Sequence, residues 1–420
     1  MFIFILFYLA LTIIRPQDYM PELQGVPILP VTLVLAFLFW LLSSKKTFAA
    51  PHFLLLPIFM LALMASQVAS GWAGGVIEVL KDFGPVMIAF FVLAAAVAVS
   101  QRRVVVTLAV LTLCTMVLAL HGVDQSQYGV GWTGIGMVEG GRIQYVGIFE
   151  DPNDLGLLFA TVLPMACYLS SRGGFLGRIF WLAGAALLLY GVYLTNSRGA
   201  LIAVLVVAGV YTWYRRGIVT AGVLSVAGLL VMKVLSSRMQ ELDADESSAA
   251  GRVDAWYEGL HMFFSHPLFG VGSGNFTDYN YLTAHNSFVL VLAETGLFGF
   301  ITWLAFVGYS FWMMVKLLRM PPQQDADGNT GEWAAERKLA MTLLLSLCGL
   351  FTSAFFLSRS YSVVMYLMIA VVVGYYVGAR RRFSGLPAFD LADSWRRWVP
   401  IALGSIVALF VLVQVLLRTS

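Results

Sequence analysis

The 420-residue sequence predicts an all-α polytopic transmembrane helix bundle of about 12–13 spans, with a long periplasmic loop containing short helices. Three observations predict it. Hydrophobic residues make up 60% of the chain and charged residues 12%, whereas a soluble protein carries about a quarter charged. The mean hydropathy is +0.83. Apolar runs such as 104–120 and 340–357 approach the roughly 20 residues that cross a hydrocarbon core as a helix. Helices and closed barrels are the spanning forms that satisfy every backbone polar group internally.

In chain order the apolar segments fall at 1–14, 28–42, 52–70, 83–100, 104–120, 153–170, 177–195, 199–214, 217–235, 297–318, 339–357, 361–379 and 398–417. The first lacks a basic n-region and a small-residue cleavage site, so it reads as a retained helix and not a signal peptide. Pro57, Pro85 and Pro164 are kinks that a bundle tolerates. Cys114, Cys167 and Cys348 sit in separate apolar runs and read as small core residues, not a disulfide or zinc framework.

One set of alternate loops holds most of the lysines and arginines, among them Lys45, Lys46, Arg102, Arg103, Arg215, Arg216, Arg337, Lys338, Arg380, Arg381 and Arg382, and is therefore cytoplasmic. The loops 121–152 and 236–296 of this multi-pass protein then fall on the outer face, and a site facing the periplasm is expected there. The chain divides into an N-terminal scaffold (1–121), a core with the long loop (122–318) and C-terminal helices (319–420). A formal charge of +3 gives no sign of a nucleic-acid partner; membrane lipids are the expected surroundings.

The first of these loops is glycine-rich (Gly129, Gly131, Gly134, Gly136, Gly140, Gly141) and reads as an irregular connection. The second opens with a polar stretch, 236–250. It continues as an amphipathic helix opened by Arg252, with Val253, Trp256, Leu260 and Phe263 at 3–4 residue spacing, lying on the membrane or on the bundle.

Transporters keep ionisable groups at mid-membrane. Here they gather at the outer face: Arg142, Glu150, Asp151, Asp154, Arg198, Arg252, Asp254, His285 and Glu294. Arg198, in Thr-Asn-Ser-Arg-Gly-Ala (195–200), lies between two apolar segments with no room for a loop. It is either an interfacial arginine that snorkels or a fork that grips phosphate. Arg252, where the helix dipole makes a cation mildly unfavourable, reads either as an ordinary surface arginine or as a functional one. His285, in Thr-Ala-His-Asn-Ser (283–287), precedes a helix capped by Asn286 or Thr283. The positive helix end favours the neutral imidazole that a general base requires, although a lone histidine there also reads as a mere neighbour of the cap. His261 and His266 are weaker candidates, His52 falls on the cytoplasmic side and His121 at a helix end. Asp243-Ala-Asp245 has a cation-binding pattern, but in a polar run it reads as solvated charge. Metal-binding, nucleotide-binding and serine-nucleophile motifs are not found, so no metal and no cofactor are expected.

Six stretches carry a resemblance. They are Gly-Ile-Phe-Glu-Asp-Pro-Asn-Asp-Leu (147–155), Thr-Asn-Ser-Arg-Gly-Ala (195–200), Gly-Arg-Val-Asp-Ala-Trp (251–256), His-Pro-Leu-Phe-Gly-Val-Gly-Ser-Gly-Asn (266–275), Ala-His-Asn-Ser-Phe (284–288) and Glu-Thr-Gly-Leu-Phe-Gly (294–299). In this order over 147–299 they resemble the O-antigen ligase and Wzy-type polymerase superfamily of bacterial membrane glycosyltransferases. The flanking segments match only as hydrophobic scaffold, and a thirteenth apolar segment departs from the dozen or so common in that family. The resemblance implies transfer of a glycan from an undecaprenyl-diphosphate carrier to an acceptor hydroxyl at the periplasmic face, without metal and with inversion. It implies diphosphate binding by Arg198, Arg252 and Arg142, activation of the acceptor by His285, and support from Asn153, Asn286 and Glu294. A ligase would use lipid A–core as acceptor. The alternatives are a polymerase extending a carrier-linked glycan, a protein glycosyltransferase and, of a different class, a non-catalytic polysaccharide transporter.

Overall fold

A computed structural model describes residues 1–237, 244–323 and 331–419. Among these residues there is no β-strand, and each of the thirteen apolar segments is a helix. The helices are α1 (Phe2–Ile14), α2 (Ile28–Leu41), α3 (His52–Ala69), α4 (Gly75–Val97), α5 (Gln101–Tyr128), α6 (Pro152–Ser170) and α7 (Phe175–Thr195). They continue as α8 (Arg198–Arg216), α9 (Ile218–Ser237), the amphipathic α10 (Ala244–Ser265), α11 (Ser287–Arg319), α12 (Gly331–Ala354), α13 (Val363–Arg382) and α14 (Trp398–Thr419). Nine helices among the described residues are long and apolar enough to cross a membrane, and three more are apolar but shorter. The protein is an all-α polytopic membrane protein.

Several boundaries differ from the sequence reading. Helix α4 begins at Gly75, eight residues before its apolar run, taking in Glu78, Lys81 and Asp82. Helix α5 runs on to Tyr128, so His121 lies within it, fully buried, with Nε2 2.8 Å from Thr133 Oγ1. Hydropathy ends a span at its first polar residue, but the backbone ladder continues wherever polar side chains find partners. Cys114 is buried as expected; Cys167 is exposed on α6 and is no core residue. Arg252 does not open α10, which starts at Ala244 and carries it in the third turn. Asp243 and part of the polar stretch lie outside the described residues.

Helices α6, α11, α12 and α13 form the interior. Helix α6 packs against α5, α7 and α12; α13 lies on α4, and α11 on α3. Helix α10 lies on the bundle, across α11 and α14. Its buried face is Ala255, Trp256, Gly259, Leu260, Met262 and Phe263, with the Trp256 ring edge-on to Phe355 at 5.5 Å. At one end of the bundle Arg382 pairs with the buried Glu336, and Arg337 reaches Tyr214 and the Leu318 carbonyl. The opposite end carries the residues singled out from the sequence.

Helix α11 is broken at Gly296 (φ 59°, ψ −160°), which lies inside the loop assigned from hydropathy as 236–296. The loop after α10 captures the groups that the break releases. Val271 and Gly272 N–H donate to the Ala293 and Glu294 carbonyls at 3.0 and 3.1 Å. Leu297 and Phe298 N–H donate to the Pro267 and Leu268 carbonyls at 2.8 and 3.2 Å. The non-helical backbone is tolerated here because its polar groups are paired within the protein.

Candidate active site

Helix α6 starts at a dense polar corner. Asp151 caps it, its Oδ1 accepting from Asn153 N and Asn153 Nδ2, each at 2.8 Å. The Asn153 Oδ1 so oriented accepts from Arg142 Nη2 at 3.1 Å, and Arg142 Nε donates to the Thr195 carbonyl at 3.0 Å. The glycine-rich loop that leads to Arg142 is tied to α5 through Gln125. Gln125 Nε2 holds the Ile135 and Gly136 carbonyls, and its Oε1 accepts from Gln144 N. The connection from α7 to α8 is two residues: Asn196, left-handed at φ 52°, and Ser197, whose hydroxyl caps α8 at Ala200 N. Arg198 is the first residue of α8 and is exposed. Gly156 on α6 abuts Ala200, Thr195 and Ser197 so closely that a Cβ there would lie 2.6 Å from Ala200 Cβ, which sets this junction against the Asn153 corner.

His285 lies on the segment leading into α11. It is half-buried and left-handed (φ 45°), a conformation that is uncommon outside glycine. Asn286 is the cap, its Oδ1 accepting from Phe288 N at 2.9 Å and Val289 N at 3.2 Å. Thr283, the other cap candidate, instead bonds Ser358 Oγ at 2.9 Å. Burial lowers the imidazole pKa from the ordinary 6.5, the positive charges of Arg252 and Arg359 lower it further, and Asp151 opposes them. These groups therefore share one electrostatic neighbourhood. The Gly251 position next to Arg252 faces Leu282 and Tyr281, and the Gly199 position next to Arg198 faces Phe356. Both arginines thus adjoin segments that flank or pack beside His285.

Glu294 is fully buried and ties the long loop together. Its carboxylate accepts from Tyr361 Oη at 2.8 Å and from Phe276 N at 3.3 Å, and bonds the Gly274 backbone as well. The histidines thought weaker or structural lie elsewhere: His261 and His266 are exposed, and His52 is buried against Ser310 Oγ at 2.9 Å.

Sequence reasoning missed Arg359. It stands between α12 and α13, outside every recognisable stretch, and its Nε and Nη2 donate to both carboxylate oxygens of the buried Asp154. That ion pair holds the guanidinium more firmly protonated than usual. Asp154 was visible within the stretch 147–155, but no local pattern announces a partner 205 residues away. Among the described residues no group of three or more His, Cys, Asp or Glu side chains is placed to hold a metal ion.

Residues 183–304 match the family model described as O-antigen ligase, a span that includes Arg198, Arg252, His285 and Glu294. No curated protein matches the chain.

Proposed function

From the match of residues 183–304 to the O-antigen ligase family model, we propose that the chain is an O-antigen ligase/Wzy-type enzyme that transfers a glycan from undecaprenyl diphosphate to an acceptor hydroxyl at the periplasmic face of the inner membrane. The observation that carries the reading is the convergence on His285: a half-buried imidazole, kept neutral by burial and by Arg252 and Arg359, at the bundle end where Arg142 and the Arg198 junction lie.

In this reading Arg198, Arg252 and Arg142 hold the donor diphosphate, and neutral His285 accepts the proton of the acceptor hydroxyl. The acceptor oxygen attacks the anomeric carbon as its bond to the diphosphate oxygen breaks, which inverts the configuration. Undecaprenyl diphosphate departs with the bonding electrons and the proton stays on the imidazole. Fixed cations favour the charge that develops on the leaving oxygen. One such donor is worth about 2.7–4 kcal/mol in other enzymes, and a placed base roughly 10²–10⁴-fold. Diphosphate is already a good leaving group, so the mechanism requires no metal. Asn153 orients Arg142, Asn286 starts the helix that follows His285, and Glu294 fastens the 274–276 loop to Tyr361.

We assign lipid A–core as the acceptor, with carrier-linked glycan as the second reading. The test is reconstitution in detergent with defined donor and acceptor. New glycosidic product with wild type, none with His285→Ala or Arg198→Lys at equal expression, and persistence in chelator are expected. Full activity in both variants would remove the mechanism, and translocation of substrate without bond formation would leave a transporter. In a deletion strain, full-length chains accumulating on the carrier support the ligase assignment, whereas single repeats would replace it with a polymerase.

A further inference from the structure

Arg359 does not behave as another diphosphate ligand. Its Nε and Nη2 are committed to Asp154, and its Nη1 lies 3.4 Å from the Ser358 carbonyl. Its charge is offset by a carboxylate that is itself buried. Its backbone neighbourhood is fastened to the segment that carries His285. Thr283 Oγ1 bonds Ser358 Oγ at 2.9 Å, Ser287 Oγ donates to the Leu357 carbonyl at 2.6 Å, Arg359 N donates to Ser287 Oγ at 3.0 Å, and Ser360 Oγ donates to the Ser287 carbonyl at 2.8 Å. These bonds bracket His285 on both sides, at 283 and at 287. Asp154, at the other end of the ion pair, follows Asn153, the acceptor for Arg142.

We infer that the Asp154–Arg359 pair is a positioning strut that sets the distance between the two halves of the site, the His285 segment on one side and the Arg142–Asn153 corner on the other. Two parallel N–H···O bonds fix orientation as well as separation, which a single bond or a point charge does not. The inference rests on the proposed transfer reaction for its kinetic consequences, but the geometry of the strut is measurable without it.

The experiment has two arms. In the reconstituted transfer assay, Arg359→Ala should lower kcat on the order of 10²-fold, the loss that follows from displacing a catalytic group by about 1 Å. The donor KM should stay within about twofold, as for a group that does not itself bind the donor. Arg359→Lys should recover part of the loss, because it keeps one bond to Asp154. The second arm needs no activity. Cysteines at Thr283→Cys and Ser358→Cys, whose native hydroxyls are 2.9 Å apart, should oxidise to a disulfide readily in full-length protein with added oxidant. Peptide mass spectrometry should show slower closure when Arg359→Ala or Asp154→Asn is added. Unchanged kcat and unchanged cross-linking in Arg359→Ala would overturn the strut. So would a raised donor KM with kcat unaffected, which would make Arg359 a ligand instead. Wild-type activity in His285→Ala alongside slowed cross-linking in Arg359→Ala would retain the strut and discard the catalytic assignment of His285.

Discussion

Replacing Gly296 by alanine tests the break in α11 most directly. Gly296 occupies φ 59°, ψ −160°, a region essentially reserved for glycine and costing about 1–3 kcal/mol for other residues. A Cβ there would sit 2.5 Å from the Leu268 carbonyl carbon and 2.6 Å from both the Leu268 oxygen and Phe269 N. Those neighbours are backbone, so they cannot swing aside as a side-chain tip would. Relief requires the 266–275 loop to withdraw, which endangers the four backbone bonds that span the break, each worth a net ~0.5–1.5 kcal/mol. Losing two of the four with the conformational term gives a destabilisation on the order of 2–6 kcal/mol. Thermal unfolding of the purified protein in detergent, followed by loss of monodisperse protein, is the assay. Gly404→Ala, where a Cβ would meet nothing within 4 Å, is the control and should melt with wild type. Equal midpoints for Gly296→Ala and Gly404→Ala would refute the claim that the break is held by close backbone packing.

Further expectations concern the site and its supports. Because burial, Arg252 and Arg359 lower the His285 pKa, the neutral base persists below the ordinary 6.5; transfer should be flat above that pH and fall only as pH drops through the lowered value. Asp151→Asn removes the opposing charge, so the acid limb of its pH–rate profile should move to still lower pH; a limb that moves upward would contradict the electrostatics. Asn286→Ala deletes the α11 cap and should cost about 1 kcal/mol, read as a lower melting midpoint. Glu294→Ala orphans the Tyr361 hydroxyl and the Phe276 N–H at about 1–3 kcal/mol each, whereas Glu294→Gln keeps an acceptor in place and should melt closer to wild type.

The sequence by itself determined the solvent and hence the class of fold. With so few charges and so many apolar runs, a helix bundle in lipid is the arrangement that leaves neither apolar surface in water nor backbone unpaired. It also marked local chemistry that needs only near neighbours: the tight α7–α8 junction before Arg198, the helix start after His285 and a cap at Asn286 or Thr283, of which the structure uses Asn286. Tertiary structure alone decided the rest. Arg359 is 74 positions from His285, and no pattern in the chain announces that it shares the electric field of that residue; Arg252, 33 positions away, was joined to His285 by family resemblance and not by any local rule. Glu294 resembled a site carboxylate in sequence, but its oxygens are turned to the loop that it fastens. Periodicity and composition report which surroundings a segment prefers. Which charges meet is set by long-range packing, because an ion pair between distant residues forms only after the helices carrying them have been brought side by side.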